Sequence, residues 1–144
     1  MNPTLESWKQ HPIESLLPHT PPLVLLDRIV KLAAESIRCE TRFVNDGFFQ
    51  DAEGVPVAWA VEIVAQACAV MVAIQCYGSG ITQGRLLKCR SFEFHAAHLP
   101  YDALLEVDAQ LTMKGDSGLW FFSGAISDPA GTQLAEGEMT IQVQ

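Results

Sequence analysis

The sequence predicts an α+β fold in which one long helix is wrapped by a curved antiparallel sheet. Three observations lead there. A single run, Val55 to Tyr77, is apolar almost throughout. Segments with the alternating pattern of half-buried strands lie on both sides of it. Everything after Gly80 reads as strands and tight turns. One helix among mostly antiparallel strands belongs to the α+β class. The chain's 144 residues suit a single domain spanning 1–144.

The elements follow in order. Leu5 to Leu17 reads as one or two short helical turns, with Pro3 and Pro12 compatible with helix starts. Pro18-His19-Thr20-Pro21-Pro22 cannot be helical, because each proline holds its predecessor extended. Leu23 to Val30 is rich in branched apolar residues and reads as the first strand. Ser36 to Val44 alternates, with Ile37, Cys39, Thr41 and Phe43 on one face. Asn45-Asp46-Gly47 is a turn signal, and Asp51 to Gly54 is a second break. The helix is predicted from about Pro56 to Cys76, closed by Gly78-Ser79-Gly80. It is apolar all round, which predicts burial all round. Four strands follow: Arg85 to Phe94, Ala103 to Met113, Leu119 to Ser127 and Gln133 to Val143. Lys114 to Gly118 and Asp128 to Gly131 supply hairpin turns.

Composition narrows the function. A hydrophobic content of 49% with 18% charged residues describes a globular protein. The net charge of −8 argues against non-specific nucleic-acid binding, which needs a basic footprint. Glu62, Gln66 and Gln75 interrupt the apolar run, and a carboxylate near the middle of a bilayer is costly, so no membrane span is expected. The N-terminus opens with Asn2, Glu6, Lys9 and Gln10, and has no apolar stretch of signal-peptide type. Cys39, Cys68, Cys76 and Cys89 form no C-x-x-C pair and have no histidine at zinc-finger spacing. Free thiols in a reducing, cytoplasmic setting are expected, with no metal and no cofactor.

Four stretches are more specific. They are Leu17-Pro18-His19 with Pro21-Pro22-Leu23-Val24-Leu25-Leu26-Asp27-Arg28; Asn45 with Phe48-Phe49-Gln50; Pro56 with Glu62 and Gln66; and Phe92 to Asp102, which ends in Pro-x-Asp. Together they resemble the 3-hydroxyacyl-carrier-protein dehydratases of the hotdog fold, over most of the chain. The resemblance implies a helix-borne catalytic acid at Glu62 and a glutamine four residues on, at Gln66. It implies an acyl carrier protein bearing a phosphopantetheine-linked chain as partner. The chain departs from that family in two places. The family's Gly-His-Phe-Pro loop is replaced by the shorter Gln50-Asp51-Ala52-Glu53-Gly54-Val55, without histidine, and the glycine after the helix-opening proline is Val57. The dehydratase-like proteins of aryl polyene clusters, which work beside a second dehydratase, resemble the chain better.

Dehydration of a 3-hydroxyacyl thioester needs a base at C2, an acid at the leaving hydroxyl and donors for the thioester carbonyl. Glu62, in so apolar a helix, is expected to be desolvated and suited to proton donation. Gln66 lies one turn on, within reach of Glu62 and of substrate. The residues alone leave open a second reading, a buried polar pair that tethers helix to sheet. The helix opening at Pro56, Val57 and Ala58 offers unpaired N–H groups for the carbonyl. His19, in its Pro-flanked turn, is the catalytic or substrate-contacting histidine, ahead of His11, His95 and His98. Three functions are carried forward: a dehydratase, a weakly active subunit beside a hotdog paralogue, and a thioesterase. A homodimer or heterodimer is expected, with Trp59, Val70 and Met71 turned to the partner. Arg85, Lys88 and Arg90 form the one local basic stretch, suited to an acidic carrier protein.

Overall fold

The computed structural model describes residues 7–8, 11–79 and 84–143. Part of the expected Leu5 to Leu17 turns, and Gly80, lie outside the described residues. Within that segment Ile13–Leu16 forms a 3-10 turn. The strands are β1 (Arg28–Leu32), β2 (Ser36–Thr41), β3 (Val55–Pro56), β4 (Gly84–Phe94), β5 (His98–Leu99), β6 (Leu105–Lys114), β7 (Leu119–Ser127) and β8 (Gln133–Val143). The long helix α1 (Ala60–Gln75) follows a 3-10 turn at Val57–Trp59. Six strands make one antiparallel sheet in the order β1-β2-β6-β7-β8-β4, and β3 pairs with β5 apart from it.

The last four long strands fall within a residue or two of their predicted bounds, because apolar alternation and turn residues agree there. The first strand differs. It starts at Arg28, not Leu23, since the backbone of Leu23 and Leu25 bonds elsewhere. The Leu25 N–H and the Leu23 carbonyl bond the Gln66 side chain, and the Leu25 carbonyl accepts from Thr41 Oγ1. The β3–β5 pair was not foreseen; two residues carry no periodicity.

Helix α1 lays Ile63, Val64, Ala67, Val70, Met71 and Ile74 on the sheet, all at most 3% exposed. They meet Val107, Phe122, Ile126, Met139 and Ile141, which form the other half of the core. Burial is not complete all round, as the apolar composition suggested. Val61, Glu62, Ala65, Ala69 and Ala73 form a half-buried stripe that the sheet does not cover. Val70 and Met71, expected to face a partner, are 0% exposed and face the core instead. The helix ends at Cys76, and Gly78 at φ +79° supplies the left-handed turn.

Gly124 lets β7 approach the helix: a Cβ there would run into the Val64 side chain and lie 3.0 Å from the Asp108 carbonyl oxygen. Gly124→Ala should lower stability by about 1–3 kcal/mol in urea titration. Ser123→Ala beside it should change stability by no more than about 0.5 kcal/mol.

Candidate active site

The prolines at 18, 21 and 22 keep the segment after the 3-10 turn out of a helix; it turns at Pro21-Pro22, where the Leu23 N–H donates to the Thr20 carbonyl at 2.9 Å, and it lies against the first turns of α1. This brings His19 to Glu62, with Nε2 3.0 Å from Oε1. Gln66, 1% exposed, joins them. Its Nε2 donates to Glu62 Oε1 at 3.1 Å and to the Leu23 carbonyl at 2.7 Å, and its Oε1 accepts from the Leu25 N–H at 2.8 Å. His19 Nδ1 is buried with no hydrogen-bond partner among the described residues. The group opens on a hollow of about 200 Å³ walled by Pro18, Ala65, Ala69, Arg85 and Leu86. A larger hollow of about 670 Å³ lies on the sheet among Lys31, Arg38, Glu93, Asp108 and Glu138, and no helix residue lines it.

Two expectations change. Glu62 is not desolvated in the single chain: its side chain is 41% exposed and that of His19 28%. It sits on the stripe of α1 that the sheet leaves uncovered. The three helix-opening residues also differ from one another. Pro56 pairs with His98 across β3 and β5. The Val57 N–H donates to the Ala97 carbonyl at 3.1 Å, so this donor is engaged within the chain. Ala58 is exposed in the 3-10 turn.

The other histidines stand apart from this group. His11 Nδ1 lies 3.0 Å from the Ser7 carbonyl, and its ring lies 4.8 Å from that of Trp8. His95 lies beside Glu136 and Glu93, at 3.5 and 3.9 Å. His98 bonds the Asp51 carboxylate at 2.9 Å, while Tyr101 donates to the Asp51 carbonyl at 2.6 Å. This clasp occupies the shortened loop, and sequence reasoning missed it. Its one local sign was the turn in which the Glu53 N–H donates to Asp51 Oδ1 at 2.9 Å. Beside it, Phe49 packs edge-on against Trp59 with ring centroids 5.3 Å apart, seating the loop on the helix opening.

A long apolar helix in the curl of an antiparallel sheet defines the hotdog fold, and solved hotdog structures share this architecture. The chain matches the ApeP-like family, ApeP dehydratase, over residues 11–144, and it belongs to that family. No curated protein matches it in sequence. Among solved structures, the dehydratase heterocomplex ApeI:P from Xenorhabdus doucetiae is similar at TM-score 0.80 and 24% identity, covering 93% of this chain and 91% of that one. Zebra fish thioesterase superfamily member 2 is similar at TM-score 0.75 and 15% identity, over 99% of this chain and 100% of that one. A hypothetical thioesterase with coenzyme A from Streptococcus pneumoniae TIGR4 gives TM-score 0.65 and 16% identity, over 81% and 84%.

The clasp generates a pH dependence. The Glu53 N–H, and then His98, hold the Asp51 carboxyl below its ordinary value. A carboxyl depressed on folding stabilises the fold fully above its unfolded pKa of about 3.9 and loses that contribution as pH falls through the folded value. The difference in Tm between the native protein and Asp51→Asn should therefore shrink as pH falls below about pH 4. A difference that stays constant down to pH 2 would rule out this role.

Proposed function

We propose that the chain dehydrates 3-hydroxyacyl thioesters borne on acyl carrier protein to trans-2-enoyl thioesters, in fatty acid or polyene-type biosynthesis. The observation that carries this reading is the His19–Glu62 contact at the mouth of a hollow beside the helix opening. With the shared proton on Glu62, neutral His19 takes the C2 proton. The C2–C3 double bond forms, the C3–O bond breaks, and Glu62 protonates the departing hydroxyl as water. The proton on His19 then returns to Glu62 across the same contact. Gln66, with both ends of its amide engaged, acts here as a positioning residue and not as a substrate ligand. With Val57 engaged, Ala58 in the first turn keeps the role of carbonyl donor beside the helix's positive end. No metal and no cofactor enter these steps.

A second reading has its own support. Glu62 is half open to solvent in the single chain, and the shortened loop lacks a histidine. Both suit a site completed by another hotdog subunit in a homodimer or a heterodimer, and the ApeI:P dehydratase heterocomplex supports a second, different subunit. In that reading the chain is a weakly active partner. The thioesterase reading rests on fold likeness alone, because those neighbours share only the architecture.

The assembly would use β4, an edge strand with one row of unpaired backbone groups and with Leu87 and Phe94 exposed. Arg85, Lys88 and Arg90 are all exposed on it, and Arg85 also lines the hollow at Glu62. Positive charge at this edge supports the arrival of an acidic carrier protein and its phosphopantetheine there. The cytoplasm is the matching compartment.

Glu62→Gln should keep the fold and lower dehydration by about 10²–10⁴-fold. If a mixture with a hotdog paralogue is active, and Glu62→Gln leaves that activity intact, the chemistry belongs to the paralogue. Light scattering should give a dimer, and Arg85→Glu with Arg90→Glu should weaken carrier-protein binding at low salt. A 15.8 kDa monomer in such mixtures, or unchanged carrier affinity, would remove the assembly or the docking site respectively.

A further inference from the structure

The pairing of β4 with β8 carries a bulge near its end. Arg90 pairs with Glu138 and Glu93 with Glu136, so three steps on β4 oppose two on β8. Ser91 lies at φ +53° within the bulge. Gly137 lets the strands cross closely there, since a Cβ at 137 would run into the Phe92 ring. The extra residue brings Glu93 directly opposite Glu136. His95, just past the end of β4, turns its ring to both. Its Nε2 lies 3.5 Å from Glu136 Oε2 and 3.9 Å from Glu93 Oε2. Its backbone is held, because the His95 N–H donates to the Leu134 carbonyl at 2.9 Å. Three donor atoms thus converge, all within 4.8 Å of one another.

The charges of this group are uncompensated. Carboxylates directly opposite each other across two strands repel. Among the described residues neither Glu93 nor Glu136 is in an ion pair with a lysine or an arginine; each meets only His95. Glu138 lines the hollow of about 670 Å³ together with Glu93 and Glu136, and adds negative charge on the same side. Across that hollow Arg38 is already engaged with Asp108 at 2.7 Å. A cation is drawn to such a place, the more so on a chain of net charge −8. We propose that Glu93, His95 and Glu136 bind one divalent transition-metal ion of the zinc type.

The donor set and its dimensions select the ion. Zinc bonds imidazole nitrogen and carboxylate oxygen at about 2.0–2.2 Å in a tetrahedral shell, which puts its ligand atoms about 3.4 Å apart. Both distances from His95 Nε2 are within about 0.5 Å of that value. Small side-chain rotations close the rest, and Glu93 and His95 are exposed and free to make them. The imidazole favours zinc over magnesium and calcium, which select oxygen shells. Three protein ligands leave a fourth position for water. The ion joins β4 to β8 where the bulge breaks their ladder. Arg85, at the Glu62 hollow, and Glu93 stand at opposite ends of β4, roughly 25 Å apart along the strand. The ion therefore takes no part in the steps assigned to Glu62 and His19.

The test is calorimetric titration of the chelator-treated, dialysed protein with zinc chloride at neutral pH. One zinc should bind per chain, with Kd on the order of micromolar, and its binding should raise Tm. Magnesium chloride should bind at least about tenfold more weakly. His95→Ala and Glu136→Gln should each raise the zinc Kd by about 10–100-fold and abolish the zinc-dependent rise in Tm. Glu93→Gln, at an exposed position, should do the same if either of the others fails to fold. Cys89 is the exposed thiol that could take zinc instead, and Cys89→Ser should leave Kd unchanged. No zinc bound by the native protein, zinc affinity retained in the folded variants, equal affinity for magnesium, or binding lost with Cys89→Ser overturns the proposal.

Discussion

The buried amide of Gln66 is the contact on which the rest of the site depends. An amide taken out of water without partners costs several kcal/mol, so its place in the core requires that both ends be satisfied. They are satisfied by the Leu23 and Leu25 backbone and by Glu62. One side chain therefore solves three problems together. It pairs backbone groups of a segment that prolines keep out of the sheet ladder. It fixes that segment on α1. It orients the Glu62 carboxylate, and His19 reaches Glu62 because the same segment is held down. An apolar residue at 66 would pack the core equally well and leave the Leu25 N–H unpaired.

The second constraint is the helix itself. A run this apolar must be covered, and one curved sheet covers only part of a cylinder. The stripe left over carries Val61, Glu62, Ala65, Ala69 and Ala73. Small side chains limit the apolar area exposed, which is how the chain tolerates an uncovered face. The placement of Glu62 on that stripe, and not among the core residues, keeps the carboxylate within reach of solvent or ligand. A carboxylate turned to the sheet side would face the penalty of an unpaired buried charge. Burial pushes the Cys39 thiol up to about 12 on that sheet side, which shows how strongly the interior disfavours charge.

Much of this was legible in the sequence, and for identifiable reasons. Helix α1 and the strands β4, β6, β7 and β8 were readable because apolar period and turn residues agree along their whole length. Glu62 and Gln66 stood out as polar residues in an apolar run, and His19 stood out between prolines. The β3–β5 pair and the Asp51–His98 clasp were not legible, because they join residues far apart in sequence through two-residue contacts without periodicity. The engaged Val57 N–H was hidden for the same reason: its acceptor, Ala97, comes from the bend between β4 and β5. Which helix residues stay exposed was equally hidden, since composition cannot distinguish the sheet face of an all-apolar helix from its open face.

The loop after Phe49 is held to the rest of the chain by directional contacts. Asp51 is bonded by His98, Tyr101 bonds the Asp51 backbone, and Gly54, at φ +154°, lies so close to β5 that a Cβ would come within 2.7 Å of the Leu99 carbonyl oxygen. Such a clasp fixes the segment that opens into α1, independently of Gln66. The chain is thus pinned just before the helix by Ala97 and His98, and at Gln66 within the helix by Leu23 and Leu25. Between those two anchors sits Glu62, so the backbone that carries its carboxylate to His19 is held on both sides of it.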